Sequence, residues 1–174
     1  MTDEPLYRWS AFDTRFGRQA AAIDADGRLV RYWLHADVRR RPFGGIEDDA
    51  ALAPVRAQVA EYCEGTRTAF DLPLHIEEGS DFERGVWSAM LAIPFGETLS
   101  YGAIAKSLGG GPEAARAVGV ACNRNPIPLV VPCHRVVGAD GALVGFGGGL
   151  PLKRALLDFE SVIAGRPRDL FARA

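Results

Sequence analysis

Apolar positions change their spacing along the chain, and the changes mark its elements. Residues 16–23 and 29–34 are short apolar runs on either side of Asp24-Ala25-Asp26-Gly27, a turn of the Asp-Gly kind that favours hairpins. Residues 38–49 run basic, then glycine-rich, then acidic, as an exposed loop does. Residues 51–64 carry Leu52, Val55, Val59 and Tyr62 at helical spacing and stop at Gly65. The stretch 66–78 is polar and extended, with Pro73 inside it, and connects two parts of the chain near Gly79-Ser80.

The signals sharpen from there. Ser80 and Glu83 have the spacing of a capping box, and Phe82, Val86, Met90 and Ile93 follow on one helical face until Pro94-Phe95-Gly96. A second short helix is predicted over 101–108, ending in Gly109-Gly110-Gly111. Pro112 then suits the first turn of a third helix over 112–122. Two short helices around a tight glycine turn form the pattern of a helix-turn-helix, although the same pattern also serves simply to pack a core. Pro126, Pro128 and Pro132 force the apolar stretch 125–132 into an extended path. A glycine-dense loop over 138–149 leads to a last amphipathic helix, 152–163, with Leu156, Phe159 and Ile163 toward the core.

Composition narrows the class. The 174 residues are 48% hydrophobic and 24% charged, close to the globular average and sufficient for one ordinary domain or two small ones. No stretch approaches the ~18 consecutive apolar residues of a membrane-spanning helix. Residues 1–5 lack the basic-then-apolar layout of a secretory signal. Three cysteines, an odd number, argue against a disulfide framework and for a reducing cytoplasm. The net charge of −2 opposes nucleic-acid binding by bulk charge, yet residues 101–135 hold Lys106, Arg116, Arg124 and Arg135 against Glu113 alone. His35, His75 and His134 show no zinc-type spacing with the cysteines, so neither metal nor cofactor is expected.

The chemistry concentrates at Pro132-Cys133-His134-Arg135. A cysteine beside a histidine and an arginine sits in a setting that favours thiolate. Cys63 and Cys122 lack such neighbours and read as small apolar residues. On an extended strand Cys133 and His134 point to opposite faces, so the imidazole serves the thiol only through a water. A carboxylate behind it is then needed to fix its tautomer, and Glu160 is one candidate.

Several segments together carry a resemblance. They are Val86-Trp87, Ile93-Pro94-Phe95-Gly96-Glu97-Thr98, Ser100-Tyr101-Gly102, Arg116-Ala117-Val118-Gly119, Asn125-Pro126-Ile127, Val131-Pro132-Cys133-His134-Arg135-Val136-Val137-Gly138, Gly147-Gly148-Gly149 and Leu156-Leu157-Asp158-Phe159-Glu160. Over residues 82–160 the chain resembles the O6-alkylguanine-DNA alkyltransferases, and Phe70-Asp71-Leu72-Pro73-Leu74 is similar to the bacterial members more faintly.

The resemblance implies an α/β chain in two parts. Residues 1–80 form a small antiparallel sheet plus helix, ribonuclease-H-like and structural. Residues 81–174 form a mostly helical DNA-binding and alkyl-transfer domain with a helix-turn-helix. It implies a partner, double-stranded DNA containing O6-alkylguanine, bound by a monomer, with cooperative assembly and O4-alkylthymine left open. Arg116 fills the gap left by a flipped nucleotide; Ala114, Ala115 and Gly119 let the backbone approach phosphate; Arg124 belongs to the same DNA-facing surface. Cys133 accepts the alkyl group once, His134 and Glu160 manage its proton, Asn125 holds the turn before it, and Tyr101 pushes on the target phosphate and donates toward guanine. Tyr101, Val136, Phe146 and Gly147 line the pocket, Phe146 standing where the family often has Tyr. Three other readings stay open: a lesion-binding protein without catalysis, a cysteine hydrolase, and a helix-turn-helix regulator that leaves the Cys133 segment unexplained.

Overall fold

A computed structural model describes residues 7–35 and 45–166. The chain divides into two compact units, Met1–Glu78 with Pro126–Val130, and Gly79–Asn125 with Val131–Ala174. The loop expected over 38–49 lies outside the described residues up to 44.

In the first unit, strands β1 (Arg8–Thr14), β2 (Gly17–Ile23), β3 (Leu29–Trp33) and β4 (Ile46–Glu47) form one sheet in the order β3-β2-β1-β4. Asp24 builds the predicted turn, accepting from the backbone N–H groups of Asp26 and Arg28 at 3.0 and 2.9 Å. The antiparallel sheet expected from the sequence is present in β1, β2 and β3, but β4 runs parallel to β1. A two-residue turn can only reverse a chain, whereas β4 arrives on the far side of β1 after a long connection. The central strand β2 is buried from Gln19 to Ile23, and three consecutive alanines, Ala20 to Ala22, keep both its faces thin. Helix α1 (Ala53–Glu64) buries Val55, Val59 and Tyr62 and ends at Gly65 in the left-handed conformation, φ 78°.

The second unit is mostly helical. It comprises α2 (Asp81–Leu91), β5 (Leu99–Ser100), α3 (Tyr101–Ser107), α4 (Ala114–Asn123), β6 (Val136–Val137) and α5 (Leu150–Ile163). Ser80 caps α2 as its spacing predicts: the Glu83 N–H donates to Ser80 Oγ at 3.3 Å, and Glu83 Oε2 accepts from the Ser80 N–H at 2.7 Å. Trp87 on α2 is buried and donates its Nε1–H to the Ala121 carbonyl at 2.9 Å, stitching α2 to α4 without leaving a polar atom orphaned. Between α3 and α4 the chain turns at Gly109, φ 80°. A Cβ on the next residue, Gly110, would lie 2.7 Å from that of Ala114, so only glycine lets the two helices approach this closely. α4 begins at Ala114, two residues after the position expected for it. On α5 Leu156 is buried as predicted, but Phe159 is half-buried and Ile163 exposed, because Lys153, Leu157 and Glu160 take the inward positions.

The proline-rich stretch departs from a simple extended path. It turns at Leu129, a non-glycine residue at φ 76°. Asn125 closes the base of this excursion by donating its Nδ2–H to the Val131 carbonyl at 2.8 Å.

Ser80→Ala removes one half of the capping box and is expected to cost about 1 kcal/mol. A urea midpoint lowered at unchanged slope is the expected reading, with Ser80→Thr close to the parent. An unchanged midpoint for the alanine variant contradicts the role of the cap.

Candidate functional site

Two short strands bring the chemistry together. β5 pairs in parallel with β6, setting Leu99 beside Val136 and Ser100 beside Val137. Ser100 then caps α3, accepting from the Ala103 N–H at 3.1 Å, so Tyr101 opens the helix next to the segment that carries Cys133. That segment is not the strand expected from the sequence. Cys133–Arg135 is one turn of 3-10 helix, closed by the Arg135 N–H donating to the Pro132 carbonyl at 3.0 Å. Three residues per turn still send neighbouring side chains apart, so the thiol and the imidazole of His134 diverge for a different geometric reason.

His134 is fully buried and its Nε2 lies 2.7 Å from Glu160 Oε1. Glu160, also fully buried, is the hub of the site. Its Oε1 also accepts from Arg135 Nη2 at 3.0 Å; its Oε2 accepts from Arg135 Nε at 2.9 Å and from the Gly96 N–H at 3.1 Å. Arg135 further donates to the Ile93 carbonyl at 2.7 Å and lies over the Phe95 ring. Gly96 must be glycine: its φ is 78°, and a Cβ there would meet Ala164 at 2.6 Å.

Burial opposes the Glu160 charge, but His134 and the bidentate Arg135 outweigh it and hold the carboxyl well below the usual carboxylate range. Burial pushes His134 down, against the pull of Glu160, so the ring rests neutral. With Nε2 engaged by the carboxylate, Nδ1 is the nitrogen without a hydrogen-bond partner among the described residues.

Cys133 is 6% exposed, and burial pushes its thiol up. Four influences oppose that shift: the Asn125 side chain, the charge of Lys153, and hydrogen bonding to the backbone of Cys133 and of His134. Lys153 is the functional side chain that sequence reasoning overlooked. It is fully buried on α5 and donates from Nζ to Tyr101 Oη at 3.2 Å and to the Val144 and Gly145 carbonyls at 3.1 and 3.3 Å. Its helical position offered the signal, since 153, 156, 157 and 160 share one face. Tyr101 donates to the Val144 carbonyl at 2.7 Å, and burial first, then the sulfurs of Cys122 and Cys133, push its hydroxyl up to about 12.

The other expected residues fall on α4 and the glycine loop. Arg116 is exposed and has no ion-pair partner among the described residues, while Ala114, Ala115 and Gly119 are half-buried on the same helix. Tyr101 packs against α4 at Gly119, where an added Cβ would lie 3.9 Å from the ring. Arg124 is not free for a ligand in this structure: it pairs with Glu83 Oε1 at 2.9 Å. The Ser80 N–H first, then Arg124 and the Ser80 hydroxyl, hold the Glu83 carboxyl down at about 2. Val136 is buried, Phe146 half-buried and Gly147 exposed. Among the described residues no cluster of His, Cys, Asp and Glu is arranged to hold a metal ion, and no helix is long and apolar enough to cross a membrane.

The buried pair predicts a sign for stability against pH. His134 binds its proton less readily folded than unfolded, so stability falls as pH drops below the ordinary histidine value of 6.5. Glu160 adds a second loss of the same sign below the ordinary 4.5. Urea unfolding between about pH 8 and pH 4 should show stability declining through the acid half. A rise between pH 7 and 5 contradicts the buried neutral histidine.

The chain is similar to known proteins over most of its length. A family model described as the DNA-binding domain of 6-O-methylguanine DNA methyltransferase matches residues 81–162. A methylated-DNA–protein-cysteine methyltransferase of Mycobacterium tuberculosis is 50% identical over 123 residues, 71% of this chain and 72% of that protein. One from Methanosarcina acetivorans is 39% identical over 153 residues, 87% and 97% of the two chains. The crystal structure of Mycobacterium tuberculosis OGT in complex with DNA matches with a TM-score of 0.81 and 39% identity, covering 94% of this chain and 97% of that one.

Proposed function

The chain belongs to the methylated-DNA–protein-cysteine methyltransferase family, and on that premise we propose how its own residues repair O6-alkylguanine in DNA. The observation that carries the account is a buried thiol held by Asn125 next to a neutral histidine whose partner carboxylate is locked by Arg135.

DNA binds through α3 and α4. The exposed Arg116 enters the minor groove and fills the space of the flipped nucleotide, while Ala114, Ala115 and Gly119 keep that face low enough for phosphate to approach. Flipping costs a few kcal/mol, less for a poorly paired lesion, which favours damaged bases. Arg124 contributes only after parting from Glu83. Val136, Phe146 and Gly147 border the pocket, and backbone groups of Cys133, Val136 and Gly147 read the guanine edge.

His134 Nδ1 takes the Cys133 proton through a bridging water, and Glu160 orients the ring and stabilises its charge. The thiolate attacks the alkyl carbon. An S–C bond forms as the C–O6 bond breaks with its electrons staying on guanine. Tyr101 remains a phenol and, once its hydroxyl leaves the Val144 carbonyl, donates toward the ring as that charge develops. Lys153 supplies the fixed positive charge that favours thiolate. The product is a thioether, a poor leaving group, so each molecule acts once. A nucleophile that must stay a free thiol fits the reducing cytoplasm.

Cys133→Ala is expected to keep lesion binding and lose transfer to a duplex carrying O6-methylguanine. Transfer at the parent rate would falsify the nucleophile. Arg116→Ala should slow repair of duplex far more than reaction with a free O6-alkylguanine base; equal losses sink its role in flipping. Lys153→Met is expected to slow both reactions about tenfold at pH 7, the effect of roughly one unit of thiol pKa, and to move the rate profile to higher pH. A slower reaction with an unmoved profile contradicts the electrostatic role.

A further inference from the structure

One face of α4 lies open to solvent. Arg116, Ala117, Val120, Asn123 and the C-cap residue Arg124 are exposed on it, with Arg116, Val120 and Arg124 at four-residue steps. The cations of this region are not equally available. Lys106 and Arg116 have no ion-pair partner among the described residues, whereas Arg124 Nη1 donates to Glu83 Oε1 at 2.9 Å. The carboxylate that holds Arg124 is itself anchored. Glu83 Oε2 accepts from the Ser80 N–H at 2.7 Å and from the Ser80 hydroxyl at 3.0 Å, which leaves Oε1 for the guanidinium. About one turn away on each helix, Trp87 Nε1–H donates to the Ala121 carbonyl at 2.9 Å and fixes α2 against α4. The Glu83 side chain is 12% exposed and that of Arg124 68%, so a fixed acid grips a guanidinium that still faces solvent.

Carboxylate and phosphate make the same demand on a guanidinium, since both offer anionic oxygens to its paired N–H donors. We propose that Glu83 is a built-in competitor of DNA phosphate for Arg124, an acidic brake that loosens the hold of α4 on duplex DNA. The proposal rests on the reading of α4 as the DNA-facing helix. Arg124 reaches phosphate only by leaving Glu83, so the contact it gains is offset by the ion pair it gives up. The charge left on Glu83, kept in place by Ser80, then repels the phosphate chain. Because the guanidinium is exposed, the brake is modest: ion pairs of this kind shift an equilibrium by about fivefold or less. The brake serves the search for damage. Undamaged sites vastly outnumber lesions, and phosphate contacts hold a protein on them whatever their sequence. A protein that reacts once gains from a weaker hold there, since each molecule parked on intact duplex is withdrawn from repair.

The test measures binding of a fluorescent undamaged duplex to the full chain by anisotropy, over a series of sodium chloride concentrations. Four proteins are compared: the parent, Glu83→Gln, Arg124→Gln and the double variant. Glutamine serves at this position of a capping box as glutamate does, so Glu83→Gln removes the charge and keeps the cap. Glu83→Gln is expected to bind about two- to fivefold more tightly than the parent. Its slope of log K against log salt should steepen by up to about 0.9, the share of one phosphate contact. Its reaction with free O6-methylguanine base should stay at the parent rate. In the Arg124→Gln background the same substitution should change neither affinity nor slope. Unaltered duplex binding by Glu83→Gln overturns the proposal while leaving α4 as the DNA-facing helix. An equal gain in both backgrounds also overturns it, since that reports a general loss of negative charge and not competition for Arg124. If none of the four proteins binds duplex, the DNA-facing reading itself fails and the proposal falls with it.

Discussion

A single buried carboxylate organises the catalytic unit. Glu160 receives four hydrogen bonds on its two oxygens, from His134, twice from Arg135, and from the Gly96 backbone. Those donors come from two segments far apart in the chain, and Glu160 itself comes from a third, α5. One side chain thereby fixes the loop after α2, the 3-10 turn of the nucleophile and the last helix. A carboxylate this deeply buried is tolerable only because every acceptor position is filled and Arg135 balances its charge. Removing Glu160 would leave the Arg135 guanidinium buried without its partner, a loss on the order of 3–5 kcal/mol. The same pairing keeps the site ready for chemistry. Arg135 offsets enough of the carboxylate that burial can hold His134 neutral, and a neutral imidazole is the form that accepts a proton.

The second charge in the site acts differently. Lys153 is held by Tyr101 and by two carbonyls of the glycine loop. It therefore joins three tasks: setting the Tyr101 hydroxyl, shaping the loop at Val144 and Gly145, and placing positive charge near sulfur. Burial raises the Cys133 thiol and lowers the Lys153 ammonium, and each charge relieves the cost of the other. The net effect on Cys133 is upward, so the resting thiol keeps its proton. Glu160 and Lys153 lie seven residues apart on the inward face of α5, so one helix delivers both the carboxylate and the ammonium.

Much of this was legible because local chemistry and tertiary role coincide. The capping box at Ser80, the glycine turn between α3 and α4, and the nucleophile beside a histidine and an arginine each carry their meaning in adjacent residues. Glu160 could only be a candidate, since nothing in spacing says that α5 folds back onto residue 134. Strand β1 escaped notice because buried Trp9, Ser10 and Phe12 do not alternate cleanly; Ser10 is inward because its hydroxyl donates to Asp49 at 2.5 Å. The parallel placement of β4 depends on a long connection, which no local signal reports. The left-handed Leu129 is likewise invisible to local spacing, a strain of about 1–3 kcal/mol in a non-glycine residue. Lys153 is hidden by its neighbour: a lysine followed by Arg154 reads as a solvent residue until its place on the helical face is counted.

The most direct measurement is the intact mass of the protein after mixing with an oligonucleotide duplex carrying one O6-methylguanine, followed by peptide mapping. A gain of one methylene unit, confined to Cys133 and stopping at one equivalent however much duplex is added, is the predicted result. Unchanged mass despite binding to the lesion would contradict alkyl transfer and leave recognition alone, and a methyl group on any other residue would contradict the site.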